Sequence, residues 1–180
     1  MGESVFINTK NRSFSITADV EVPSGGANGV ILAQAGRFGG LSLYLKDGKP
    51  TYCYNFLGLQ RFKVGATEAI ASGKATIVMN FDYDGGGPGK GGIVTILVNG
   101  TKMATGRVDR TQGAVFSADE TAGVGIDDAT PVSDDYKAGD NGFTGKIARV
   151  TIDVKPVGTA AKADADHALW VALLKMALSN

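Results

Sequence analysis

A chain of 180 residues that holds one cysteine, Cys53, and one histidine, His167, has little to build a reactive centre with. One thiol forms no intrachain disulfide and leaves the redox compartment open. Two such ligands fall short of a zinc site, and any Ser- or Cys-His triad would have to use His167. Charge of one sign is also lacking: 18 Lys plus Arg offset 18 Asp plus Glu. That balance argues against a phosphate-backbone binder and against a polybasic membrane anchor, so neither nucleic acid nor membrane is expected as a partner. No apolar run approaches the ~20 residues of a transmembrane helix. The N-terminus has no secretory h-region. The expectation is a soluble chain of unknown localisation.

What is abundant is glycine, 26 residues, about twice the usual ~7 %. At 18.6 kDa the chain is long enough to bury roughly 70 % of its unfolded surface, so it needs neither disulfide nor metal to fold. The length suits one domain, or one domain with an appendage.

Apolar residues recur mostly at a spacing of two, the pleat period of strands. Phe14, Ile16, Ala18, Val20 and Val22 alternate with Ser15, Thr17, Asp19 and Glu21, giving a strand with one wet face. Leu41, Leu43 and Leu45 repeat the pattern, as do Ile77, Met79, Phe81 and Tyr83. Asp47-Gly48 and Asn99-Gly100 suit type I′ hairpin turns, whose two central residues need positive φ. Pairing Lys46 with Lys49 sets Leu43 opposite Tyr52 and Leu41 opposite Tyr54. Opposed residues share a face. Leu41, Leu43, Leu45, Tyr52, Tyr54 and Phe56 therefore form one apolar surface, and Ser42, Tyr44, Lys46, Thr51, Cys53 and Asn55 the other. The second hairpin gathers Val94, Ile96, Val98 and Met103. The pattern predicts an all-β, antiparallel two-sheet sandwich over residues 1–156.

After Pro156 the pattern changes. A small polar linker (157–162) leads to a helical spacing from Asp164, with Leu169, Leu173 and Ala177 at steps of four beside Trp170, Leu174 and Leu178. Asp164 or Asp166 would cap this C-terminal α-helix. About 15 residues are too few to stay helical alone in water, so the segment 157–180 is expected to dock on the sandwich or on a partner.

Few motifs carry chemistry. Residues 87–92 satisfy G-x-G-x-x-G, but a β-run follows where the nucleotide fold needs a helix, and the pattern contains Pro88; the expectation is a loose interstrand loop. His167 falls in the tail helix. Cys53 has no basic neighbour in sequence to hold a thiolate, and reads as a structural or interface cysteine. The acidic stretch from Asp119 to Asp140 reads first as turn-forming loop acids. Within it Asp127, Asp134, Asp135 and Asp140 are the candidate calcium ligands, since calcium takes six to eight oxygens from such loops. Tyr52, Tyr54 and Phe56 share a face with three leucines and are assigned to the core. Tyr44, with Asn55 and Lys46, is the candidate for a polar, sugar-facing surface. Two N-x-S/T sequons occur, at Asn11 and Asn99, the second already explained by its turn.

Several phrases carry a family resemblance: residues 11–18 (NRSFSITA), 29–34 (GVILAQ), 39–49 (GGLSLYLKDGK), 54–59 (YNFLGL), 116–121 (FSADET), 131–136 (PVSDDY) and 143–147 (FTGKI). In order, over roughly residues 5 to 155, they resemble the C-terminal region of large bacterial arylsulfatases. The resemblance implies a jelly roll similar to concanavalin A-like and laminin G-like modules. One departure falls at residues 125–130 (GIDDAT), where the pattern has an arginine after the glycine. The Cys/Ser-x-Pro-x-Arg motif that yields the formylglycine nucleophile is missing: Tyr54, Asn55, Phe56 and Leu57 follow Cys53.

The expected function is accordingly a non-catalytic accessory module of an arylsulfatase-like sulfuric ester hydrolase. It would pack on the catalytic domain or a neighbouring subunit, with self-association as another arrangement. The alternative is a lectin-like carbohydrate-binding module for a sulfated glycan, with or without calcium. A glycosidase comes last, because nothing in the spacing sets two carboxylates across a groove.

Overall fold

The structure, a computed structural model, describes residues 6–116, 121–128 and 130–156. The expected tail helix, with His167, lies outside the described residues, as do Asp119 and Glu120 of the acidic stretch.

Ten strands follow one another: β1 (Phe14–Val22), β2 (Gly29–Gly36), β3 (Gly39–Lys46), β4 (Lys49–Phe56), β5 (Gln60–Gly65), β6 (Gly73–Tyr83), β7 (Lys90–Val98), β8 (Thr101–Arg110), β9 (Ala122–Val124) and β10 (Lys146–Val154). They pair antiparallel into two five-stranded sheets, ordered β10-β1-β6-β7-β8 and β5-β4-β3-β2-β9. The two-sheet sandwich read from the alternation is what forms.

Both hairpin turns adopt the expected geometry. Asp47 and Gly48 have φ of 52° and 73°, and Asn99 and Gly100 have 51° and 81°. Lys46 pairs with Lys49, Leu43 with Tyr52 and Leu41 with Tyr54. Leu41, Leu43, Tyr52 and Tyr54, with Leu45, face inward and meet Ile16, Ile77, Met79 and Ile96 of the other sheet; Phe56 packs at the margin, half-buried.

The second hairpin departs from expectation at one residue. A bulge between Ile96 and Leu97 sets Ala104, not Met103, opposite Ile96. One extra residue reverses the alternation beyond it, so Ala104 takes the place against the core that Met103 was expected to fill. The glycine-rich loop after β6 is also not loose. Tyr83 Oη donates to Gly87 O at 2.5 Å and accepts from Lys90 N at 3.0 Å, while Asn11 Oδ1 accepts from Gly89 N at 2.9 Å.

Candidate functional site

The two sheets differ in what covers their outer faces. On the β5-β4-β3-β2-β9 sheet, the side chains expected to be wet are sealed under a loop of residues 127–142. Tyr44, Ser42, Cys53 and Asn55 are all 1 % exposed or less. Val132 and Tyr136 of the loop pack on Val30, Ala33, Tyr44 and Cys53, and the rings of Tyr44 and Tyr136 meet edge to face at 5.2 Å.

Hydrogen bonds pin this loop at both ends. At one end, Asp127 Oδ2 accepts from Val132 N at 3.0 Å and from Tyr136 Oη at 2.8 Å. Asn141 Nδ2 donates to the carbonyls of Asp127 and Lys137. Gly29 is required beside it, because a Cβ there would lie 2.2 Å from Gly142 O. At the other end, Tyr44 Oη donates to Asp135 Oδ2 at 2.5 Å. Lys46 Nζ and Lys63 Nζ donate to Asp135 Oδ1 at 2.7 and 2.9 Å, and Lys63 also pairs with Asp134. Burial opposes the charge on Asp135, but Lys46, Tyr44 and Lys63 outweigh it and hold the carboxyl down at about 2. Burial, reinforced by Asp135, raises the Tyr44 hydroxyl above its ordinary value.

This arrangement relocates the expected site residues. Tyr44 and Asn55 do not face solvent, so of the three sugar-facing candidates only Lys46 is exposed. Asn55 instead joins two turns: Nδ2 donates to Gly36 O and Arg37 O at 2.8 and 3.0 Å, and Oδ1 accepts from Gly58 N at 2.9 Å. The four candidate calcium ligands do not converge either. Among the described residues no three His, Cys, Asp or Glu side chains gather as a metal group. Asp127 is spent on its own loop, and Asp134 and Asp135 on lysines. Tyr44, Lys46, Asp135 and Asp140 do share an open depression of about 380 Å³ at the loop's edge, with Asn28, Lys137 and Asn141.

The outer face of the other sheet is open among the described residues. Register places its side chains in rows across the strands. One row runs Asp153, Ser15, Asn80, Thr95, Thr105. The next runs Thr151, Thr17, Val78, Leu97, Lys102, followed by Arg149, Asp19, Thr76 and then Lys146, Glu21, Lys74. At about 4.8 Å between strands, five strands make a surface roughly 19 Å wide. None of these side chains is buried.

Within these rows only a few groups are engaged. Asp19 Oδ1 accepts from Thr76 Oγ1 at 2.9 Å, and Oδ2 from Arg149. Those two partners hold its carboxyl below the ordinary value. Thr105 Oγ1 donates to Val94 O. The side chains of Ser15, Thr17, Asn80, Thr95 and Thr151 have no hydrogen-bond partner among the described residues, and Glu21, Lys74 and Lys146 have no ion pair there. A depression of about 590 Å³ opens at one end, lined by Asp19, Glu21, Lys74, Thr76, Asn99 and Lys146. A second, of about 300 Å³, opens at the other end beside Ser15, Asn80, Asp82 and Asp153.

No protein-family model matches the chain, and no curated protein matches its sequence. Solved structures do share the fold. The CBM40 of the Ruminococcus gnavus IT-sialidase, solved with alpha2,3 sialyllactose, superposes with a TM-score of 0.55 at 14 % identity, covering 82 % of this chain and 80 % of that one. The native heptameric SAP-like pentraxin of Limulus polyphemus gives 0.50 at 14 %, covering 84 % and 70 %. The receptor binding domain of a botulinum neurotoxin C/D mosaic serotype gives 0.51 at 11 %, covering 79 % and 33 %. These are jelly-roll domains of the concanavalin A and laminin G kind. At such identities the likeness shows the fold alone, and it brings no support for the arylsulfatase resemblance.

Proposed function

We propose that this chain is a non-catalytic, lectin-like glycan-binding module whose ligand surface is the open face of the β10-β1-β6-β7-β8 sheet. One observation carries the reading. One outer face is sealed by a pinned loop, and the other presents hydroxyl and amide groups that have no partner among the described residues, flanked by charges with no ion pair there. Saccharides are recognised through such groups. The face carries no aromatic ring, so recognition is by hydrogen bonds and charge instead of ring stacking. The sialyllactose bound by a domain of the same fold fits this reading. The reading is calcium-independent: Asp134 and Asp135 already serve lysines, and Asp127 serves a backbone amide and the Tyr136 hydroxyl.

Calorimetric titration with sialylated and sulfated oligosaccharides tests the proposal. Saturable heat is expected, unchanged by a chelator and weakened at least about fivefold in a Lys74→Ala, Lys146→Ala variant, which corresponds to about 1 kcal/mol. Silence across a broad glycan array contradicts it.

The sequence phrases favour a second reading, an accessory module of an arylsulfatase-like enzyme seated on its catalytic domain or a neighbouring subunit. It requires that this chain alone leave a nitrophenyl sulfate ester intact; turnover rules it out.

A further inference from the structure

Two neighbouring turns form an apolar tip at one end of the sandwich. Phe38, between β2 and β3, is 64 % exposed, and Leu57 and Leu59, between β4 and β5, are 39 % and 81 % exposed. Leu57 has φ +55°, followed by Gly58 at +71°. The first position of such a turn ordinarily takes Asn, Asp or Gly, so leucine there is strained while its side chain stays 39 % exposed. The turns abut: a Cβ on Gly58 would lie 2.8 Å from Arg37 O. The buried amide of Asn55 fixes both. The tip is therefore rigid, apolar and uncovered among the described residues. Arg37 and Arg110 flank it, neither in an ion pair among the described residues, while Arg61 turns away and donates to Val132 O of the covering loop.

The described chain ends at the same end of the molecule. Lys155 N donates to Ser13 O, Asn11 Nδ2 to Gly113 O and Gln112 N to Tyr54 Oη, and the Arg110 guanidinium lies 5.2 Å from the Phe56 ring centroid. These contacts lead from the last residues of β10 across to the turn after β4. Eight residue-to-residue steps lead from Pro156 to Asp164, a reach of at most about 28 Å. The crossing amounts to about four strand spacings and one sheet separation of about 10 Å, roughly 22 Å in all.

We propose that the tip is the docking site of this chain's own tail, residues 164–178. Its stripe of Leu169, Leu173 and Ala177, with Trp170 beside it, supplies the apolar surface that Phe38, Leu57 and Leu59 lack. Asp164 and Asp166 supply carboxylates for Arg37 and Arg110. Docking also gives a short amphipathic segment the tertiary contact without which it is not helical. The proposal is independent of what the open sheet face binds.

Trp170 is the only tryptophan, so its emission reports on the tail and nothing else. In the native full chain it emits at a shorter wavelength than in denaturant. In a Phe38→Ser, Leu59→Ser variant the emission moves to the denatured position, while the far-ultraviolet spectrum of the sandwich is unchanged. Leu59→Met retains the native emission. A native emission already at the denatured position, or one that survives both serine substitutions, overturns the proposal. So does a blue-shifted emission that disappears on dilution as a dimer dissociates, since the occupant is then a second copy.

Discussion

Tyr44 and Asp135, 91 residues apart in the chain, are joined by a hydrogen bond of 2.5 Å beneath the loop that covers one sheet. Tyr44 belongs to a regular strand and Asp135 to irregular backbone, so the bond fastens loop to sandwich. Asp135 also receives Lys46 and Lys63. Its carboxyl is held at about 2 against an ordinary 3.8. A depressed carboxylate adds stability that is complete above the unfolded value and lost as pH falls toward the folded one. Acid unfolding followed by circular dichroism should therefore show about 2 kcal/mol lost between roughly pH 4 and 2. Asp135→Asn should remove most of that slope and cost about 1–3 kcal/mol at neutral pH.

Tyr52 is fully buried in the core, and its hydroxyl has no hydrogen-bond partner among the described residues. Burial raises that hydroxyl well above its ordinary value. An unpaired buried hydroxyl opposes folding. Tyr52→Phe should be neutral or raise stability by up to about 1 kcal/mol in urea denaturation. A loss of 2 kcal/mol or more contradicts the assignment.

Leu43, opposite Tyr52 and inaccessible to solvent, should behave in the opposite way. Leu43→Ala leaves a cavity between the sheets and should cost about 2–5 kcal/mol, read as a lower denaturation midpoint with an unchanged slope.

Burial lifts the Cys53 thiol to about 11, and the covering loop excludes reagent. Native protein at pH 8 should react with a disulfide reagent only as fast as the loop opens. Denatured protein should react at the rate of a free thiol. Asp127→Ala, which unpins Tyr136 and Val132, should accelerate the native reaction.

The alternation of Phe14 to Val22 and the two hairpin turns made the sandwich legible, including the register around Leu43 and Tyr52. A period of two says which residues share a face, but not what lies over it. Tyr44, Cys53 and Asn55 do share the face that the register gives them, but Tyr44 and Asn55, read as sugar-facing, are buried, because the loop that seals them has no period to read. The signal available was that a tyrosine and a cysteine are unusual on a wet face, and a free cysteine is among the most buried residue types. The wet face of β1 was legible from Ser15, Thr17 and Asp19. That it continues across five strands with unpaired polar groups is a property of the pairing with β6, β7 and β10. The tip has no signature in the spacing, because Phe38, Leu57 and Leu59 come together only through Asn55.

Backbone amide shifts, recorded while a sialylated or sulfated oligosaccharide is added, give the most direct test of the ligand surface. Movement concentrated at Ser15, Thr17, Lys74, Asn80 and Thr95 is the predicted result. Movement confined to Lys46, Lys137 and Asp140 at the edge of the sealed sheet, or none at saturating sugar, contradicts it.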